Sequence, residues 1–261
     1  MQESESVEAL IDFVVRSIRR AQADDSPFYH LRFDRVFPDD FYAAMLEAMP
    51  VANDYRALSG KAKLRNLTAD RQPTRTKIDL FPEYIRHLPL KKRAIWDLTG
   101  RVLRSEGLGK VFVERLAPGL RRRFGDDFAS MRMYPVPILT RDVPGYFITA
   151  HSDTLWKGIT VQFYLPADNS TPQIGTIFHE MLPDESKPKR AQMLFSPNTG
   201  YAFAVADNTW HSVGRVGPEV KTRDSILLTY FVDAGPMRFF RNRGRRLQNV
   251  LLNEMRNLRR N

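Results

Sequence analysis

His151-Ser152-Asp153 closes a β-rich run, and another histidine, His211, lies 58 residues beyond Asp153. Alternate side chains of an extended strand point to one face, so His151 and Asp153 project together. Two imidazoles and one carboxylate can bind a transition metal from one side and leave the opposite positions open. Arg223 follows His211 by 12 residues and opens the apolar segment RDSILLTYF. Alternation there puts Arg223, Ser225 and Leu227 on one face. A guanidinium inside a β core is costly to bury unless an anion meets it. A dicarboxylate cosubstrate would do so through paired N–H···O bonds.

The other candidates read more plainly. His179-Glu180 lacks the second histidine of a helical zinc motif and reads as a strand end. His30 and His87 have no partner at ligand spacing. Trp156 follows the His-x-Asp segment and would either wall a pocket or pack in the core; Trp210 would pack behind His211. The chain has no cysteine. That excludes a disulfide scaffold, a thiolate zinc site, a cysteine nucleophile and a cysteine-ligated cluster.

Two kinds of element must position these residues. Up to about residue 125 the hydrophobic period reads mostly as helix and loop. Val7, Leu10, Ile11, Val14, Val15 and Ile18 make one apolar stripe. A second helix starts at Pro38-Asp39-Asp40, and two more are expected at about 91–105 and 109–123, the last closing on Arg121-Arg122-Arg123. Residues 51–80 read as a long loop or extended excursion. From about 129, seven short β-rich runs follow, at 131–136, 146–150, 158–165, 174–178, 192–195, 201–205 and 225–232. Their Gly, Pro and Asn punctuation predicts a sandwich or barrel.

Over residues 134–232 the chain resembles the 2-oxoglutarate- and Fe(II)-dependent dioxygenases, in particular their prolyl-hydroxylase-like branch. The segments that carry the resemblance are MRMYPVP, AHSDT, GITVQFYLP, Gly175-Thr176 into IFHE, SPNTGYAFAVADNTWHSV and RDSILLTYFV. It implies an α+β fold: a double-stranded β-helix (jelly-roll) core at 126–236, buttressed by N-terminal helices at 1–125, with an Arg-rich C-terminal helix at 237–261. It implies that His151, Asp153 and His211 ligate Fe(II), and that Arg223, helped by Ser225, pairs with the distal carboxylate of 2-oxoglutarate. Tyr164 matches a strand tyrosine that contacts the same carboxylate, Tyr134 matches one near the cosubstrate, and core packing is the alternative for both. Gln162 shares a face with Tyr164 and would line the pocket. With O2 the implied reaction is hydroxylation of an unactivated C–H bond, with release of succinate and CO2. Asp153 disfavours halogenation, since halogenases of this superfamily carry a small residue there. Residues 181–190 and 51–80 are candidate lids.

The expected substrate is a small molecule, an amino acid or a natural-product intermediate; a protein or carrier-bound substrate is the alternative. A non-catalytic β-barrel binding module is the competing class. Composition agrees with a soluble globular protein, at 43% hydrophobic and 27% charged residues in 261. No apolar run reaches the length of a membrane span. The acidic start, MQESESVEAL, is unlike a secretory signal, so a cytoplasmic location is expected. The net charge is +10, but residues 238–261 hold eight arginines and one acid, so the rest is nearly neutral. That tail reads either as a polyanion contact or as a packed amphipathic helix. Nucleic acid is not an expected partner, and a homo-oligomer is compatible with the sequence.

Overall fold

The computed structural model describes residues 2–57, 67, 68 and 70–233. The arginine-rich tail, with the helix expected there, lies outside the described residues. Among the described residues, no helix is long and apolar enough to cross a membrane.

Helix α1 (Gln2–Arg19) leads into strands β1 (Gln22–Asp24) and β2 (His30–Phe33), then α2 (Asp39–Glu47). Next come β3 (Arg56–Ala57), β4 (Arg75–Asp79), α3 (Pro82–Ile85), α4 (Leu90–Leu103), α5 (Glu106–Arg115) and α6 (Ala117–Phe124). The β-rich part holds β5 (Met133–Asp142), β6 (Ile148–His151), β7 (Lys157–Tyr164), β8 (Thr176–His179), β9 (Lys189–Gln192), β10 (Gly200–Ala204), β11 (Trp210–Val213) and β12 (Arg223–Val232). Two antiparallel sheets result. One has eight strands in the order β1-β2-β10-β7-β12-β5-β4-β3, the other four in the order β6-β11-β8-β9. From β5 onward the chain crosses between them at every connection except that of β8 to β9, a path consistent with a double-stranded β-helix.

The larger sheet has two different faces because its strands alternate. Ile159, Val161 and Phe163 of β7, with Ile226 and Leu228 of β12, share a core with Leu10, Val14 and Ile18 of α1, Val102 of α4 and Phe112 of α5. Burying each such side chain stabilises the fold by about 1.5–3 kcal/mol. The opposite face carries Thr160, Gln162, Tyr164 and Arg223 into the space between the sheets, where Phe28, Phe178, Phe203 and Tyr201 pack.

Several elements depart from the sequence reading. The four strands β1–β4 widen the larger sheet where helix and loop were expected. They are short and mostly polar, so neither period nor apolar content marks them. The helix expected at 109–123 is broken between α5 and α6, because Pro118 has no N–H to continue the first helix and instead sits in the opening turn of the second. Strand β5 runs on to Asp142 through Pro135 and Pro137. Strand β4 pairs only from Ile138 onward, so the prolines lie where β5 has one partner strand. Strand β9 begins three residues before the expected run, and β11 is a further strand. The close approach of β8 and β9 requires glycine: a Cβ on Gly175 would lie 1.6 Å from the Met193 carbonyl.

Asn198 joins the N-terminal segment to the barrel. Its Oδ1 accepts from the Phe37 N–H at 2.9 Å and its Nδ2 donates to the Phe37 carbonyl at 2.8 Å. Its backbone is left-handed at φ 57, a conformation asparagine tolerates better than alanine. Asn198→Ala is expected to cost about 3 kcal/mol through two buried hydrogen bonds and this strain. Urea denaturation checks it; a midpoint equal to wild type would show that the junction contributes nothing.

Candidate metal and anion site

His151 ends β6 and His211 is the second residue of β11; the register sets them opposite one another. Their ring centroids are 4.4 Å apart. Both rings are oriented by the same local contact. Nδ1 of His151 donates to the Thr149 carbonyl at 2.9 Å, and Nδ1 of His211 to the Thr209 carbonyl at 3.0 Å. A carbonyl can only accept, so the proton sits on Nδ1 and a neutral ring keeps its Nε2 lone pair for a metal.

Asp153 follows in the turn after β6. Its Oδ1 accepts from Lys157 Nζ and its Oδ2 from Thr160 Oγ1, each at 2.6 Å. The ligand atoms of His151, Asp153 and His211 all lie within 4.8 Å of one another. Among the described residues, no other group of three His, Asp or Glu side chains converges in this way. Burial drives His211 down to about 4 despite the pull of Asp153, so its ring is neutral at pH 7. Burial alone would raise Asp153, but Lys157, His211 and Thr160 together hold it down to about 2. Both groups therefore stand in the protonation state that metal binding needs.

The other end of the same inner face buries an arginine. The Arg223 side chain is wholly buried. Its Nε donates to the Ile174 carbonyl and its Nη1 to Asp142 Oδ2, both at 2.8 Å. Its Nη2 is buried without a hydrogen-bond partner. Tyr164 and Phe195 flank the guanidinium, with ring centroids 5.5 Å from its carbon. The protein itself thus supplies one carboxylate to this arginine, and one nitrogen is left over.

Four of the residues singled out beside the metal triad come together here. Tyr164 Oη meets Thr176 Oγ1 at 2.9 Å, and Tyr201 Oη donates to Gln162 Oε1 at 2.7 Å. Gln162 Nε2 donates to Ser225 Oγ at 2.8 Å, and Ser225 Oγ meets Thr140 Oγ1 at 3.0 Å. Arg223, Ser225, Tyr164 and Gln162 thus belong to one buried polar cluster. Tyr134 stands apart from it. It pairs across from Phe231 on β12, with the rings stacked at 5.7 Å. Phe231 is level with Lys157, whose ammonium holds Asp153. That places Tyr134 towards the metal end.

The remaining histidines keep plain roles. Both ring nitrogens of His179 are engaged, by the Lys187 carbonyl at 2.8 Å and by Ser212 Oγ at 2.7 Å. His30 packs on Phe178 at 4.9 Å, and His87 lies 3.9 Å from Asp54. Trp156 is 43% exposed and so belongs to a rim, not the core. Sequence reasoning passed over Thr149, Thr209, Thr160 and Lys157, which orient the triad. The repeated Thr-x-His pattern was a usable signal for the first two. In the sequence Arg123 stands out only as a helix-end charge; it donates to the carbonyls of Leu155, Lys157 and Val205, tying α6 to the strands around Asp153.

In structure the chain is similar to 2-oxoglutarate/Fe(II) oxygenases, prolyl hydroxylases among them. A prolyl-4-hydroxylase of Pseudomonas putida matches with 11% identity and a TM-score of 0.47, over 85% of this chain and 98% of that one. A Trichoplax adhaerens prolyl hydroxylase, solved with a hypoxia inducible factor peptide, matches with 13% identity and a TM-score of 0.46, over 88% and 93%. The non-heme alpha ketoglutarate dependent epimerase SnoN from nogalamycin biosynthesis matches with 13% identity and a TM-score of 0.49, over 85% and 80%. No protein-family model and no curated protein matches the sequence. At such identities the likeness is one of strand arrangement.

Thr160→Val removes one of the two partners of Asp153 without changing side-chain volume much. Affinity for Mn(II), titrated by electron paramagnetic resonance, is expected to fall by about tenfold or more. Unchanged affinity would show that Thr160 does not position the carboxylate.

Proposed function

We propose that this chain is an Fe(II)- and 2-oxoglutarate-dependent oxygenase that hydroxylates an unactivated C–H bond of a small molecule. The observation that carries the reading is a His-Asp-His triad with free Nε2 lone pairs, at one end of a barrel whose other end buries an arginine with an unspent N–H group. The donor set suits ferrous iron, because two imidazoles and one carboxylate on one face leave positions for cosubstrate and O2. When bound, the iron, 2-oxoglutarate and O2 supply the oxidising chemistry, with succinate and CO2 as the coproducts.

The chain's own residues do the rest. Thr149 and Thr209 fix the tautomers of the histidines, and Lys157 and Thr160 keep Asp153 ionised. Arg223 takes one carboxylate of the cosubstrate through Nη2, with Ser225, Gln162 and Tyr164 beside it. Phe28, Phe178 and Phe203 make the barrel between the two ends apolar and keep water out. Val136, Ile138 and Leu227 lie on the inner face and are only half-buried. Leu155, 65% exposed, and Trp156 continue that apolar rim beside Asp153. Such a lining suits a substrate that presents an apolar carbon.

Succinate released from 2-oxoglutarate under Fe(II) and air is the direct test. His151→Ala and His211→Ala are each expected to abolish it with the fold intact. Arg223→Ala is expected to raise the KM for 2-oxoglutarate by about tenfold or more, with metal affinity unchanged. Wild-type turnover in both histidine variants would contradict the triad.

A further inference from the structure

Asp142 touches two arginines, and how it divides itself between them decides what Arg223 has left. It lies wholly buried at the end of β5, level with Arg223 on β12 and with Arg75 on β4. Arg75 grips it with both arms of its fork, Nε to Oδ1 at 2.5 Å and Nη2 to Oδ2 at 2.7 Å. Arg223 reaches only Oδ2, through Nη1. A carboxylate facing a lone guanidinium prefers the two-armed pairing. Arg75 has taken that pairing, so Asp142 cannot turn to close on both nitrogens of Arg223.

Two further features mark the place as built for a guest. Arg223 Nη2 and the hydroxyl of Tyr146 are both buried without hydrogen-bond partners, an arrangement that costs stability unless a ligand meets it. Arg75 lies over the Tyr146 ring, 4.1 Å from its centroid, so the tyrosine stands beside the arginine that holds Asp142. The charges also fit: two guanidiniums and one carboxylate leave a single positive charge, enough for one more carboxylate.

We propose that Arg75 is a positioning residue for cosubstrate binding: by holding Asp142 in a two-armed grip, it keeps Arg223 Nη2 open and the pocket at one net positive charge. Without Arg75, Asp142 becomes an internal competitor that closes on Arg223 and shuts out the distal carboxylate of 2-oxoglutarate. This rests on the oxygenase reading above and extends it to a residue from outside the β-rich segment.

Calorimetric titration of 2-oxoglutarate into the anaerobic Mn(II)-loaded protein tests it, with Mn(II) affinity measured separately. Arg75→Met is expected to weaken 2-oxoglutarate by about tenfold or more while Mn(II) affinity stays as in wild type. Adding Asp142→Asn removes the competitor and restores the single positive charge, so the double variant is expected to regain most of the lost affinity. A merely structural bridge between β4 and β5 predicts the reverse, with the double variant no better than the single one. Arg75→Lys serves if Arg75→Met does not fold. It keeps the charge but loses the fork, and weaker 2-oxoglutarate binding is again expected. Full 2-oxoglutarate affinity in the folded Arg75 variant, or no recovery in the double variant, overturns the proposal. Wild-type protein that takes up Mn(II) but no 2-oxoglutarate overturns the oxygenase reading itself, and this proposal with it.

Discussion

A barrel interior that holds both a carboxylate and a guanidinium must answer two buried charges, and the arrangement around the site follows from how it does so. Burying either charge unpaired would cost several kcal/mol. Asp153 is met by Lys157 and Thr160, and Arg223 by Asp142 and the Ile174 carbonyl. In neither case is the group used up. Asp153 still faces two imidazoles with free lone pairs, and Arg223 still has Nη2. The residual capacities are of opposite kind, one for a cation and one for an anion, and both lie on the inward face of the same sheet system. In the proposed reading, a metal and a dicarboxylic 2-oxo acid bound together would satisfy both.

The scaffold holds these ends in place by covering the outer face of the larger sheet. Strands β7 and β12 are buried on both sides, so their polar inward residues cannot slip register without exposing Ile159, Val161, Ile226 and Leu228. Arg123 and Asn198 act at the edges, one tying α6 to the strands beside Asp153, the other tying Phe37 to the turn before β10. Precision at the triad thus draws on residues well outside it.

Alternation in extended strands was enough to put Gln162 with Tyr164 and Arg223 with Ser225; it also paired His151 with Asp153, although Asp153 sits in the turn after β6, and His211 joined them only through the metal-ligand pattern and the family resemblance. These residues differ in type from their apolar neighbours, so a two-residue period makes them stand out. Asp142 and Arg75 could not be found in this way. They are ordinary charged residues in polar surroundings, and their meaning depends on the pairing of β4 with β5 across more than 60 residues of chain. The same limit hid β1–β4, whose pairing is set by contacts with strands far away in sequence, and it hid the offset of β9, whose start at Lys189 is set by pairing with His179 of β8. The break at Pro118 was local, and the missing N–H of that residue was its signal.

In the proposed reading, ferrous iron and 2-oxoglutarate bind together in one site. The most direct measurement is the visible absorption spectrum of the anaerobic protein as Fe(II) and then 2-oxoglutarate are added. A weak charge-transfer band that requires both additions and is lost in His211→Ala is expected. A folded, iron-loaded protein that shows no such band on adding 2-oxoglutarate would contradict that reading.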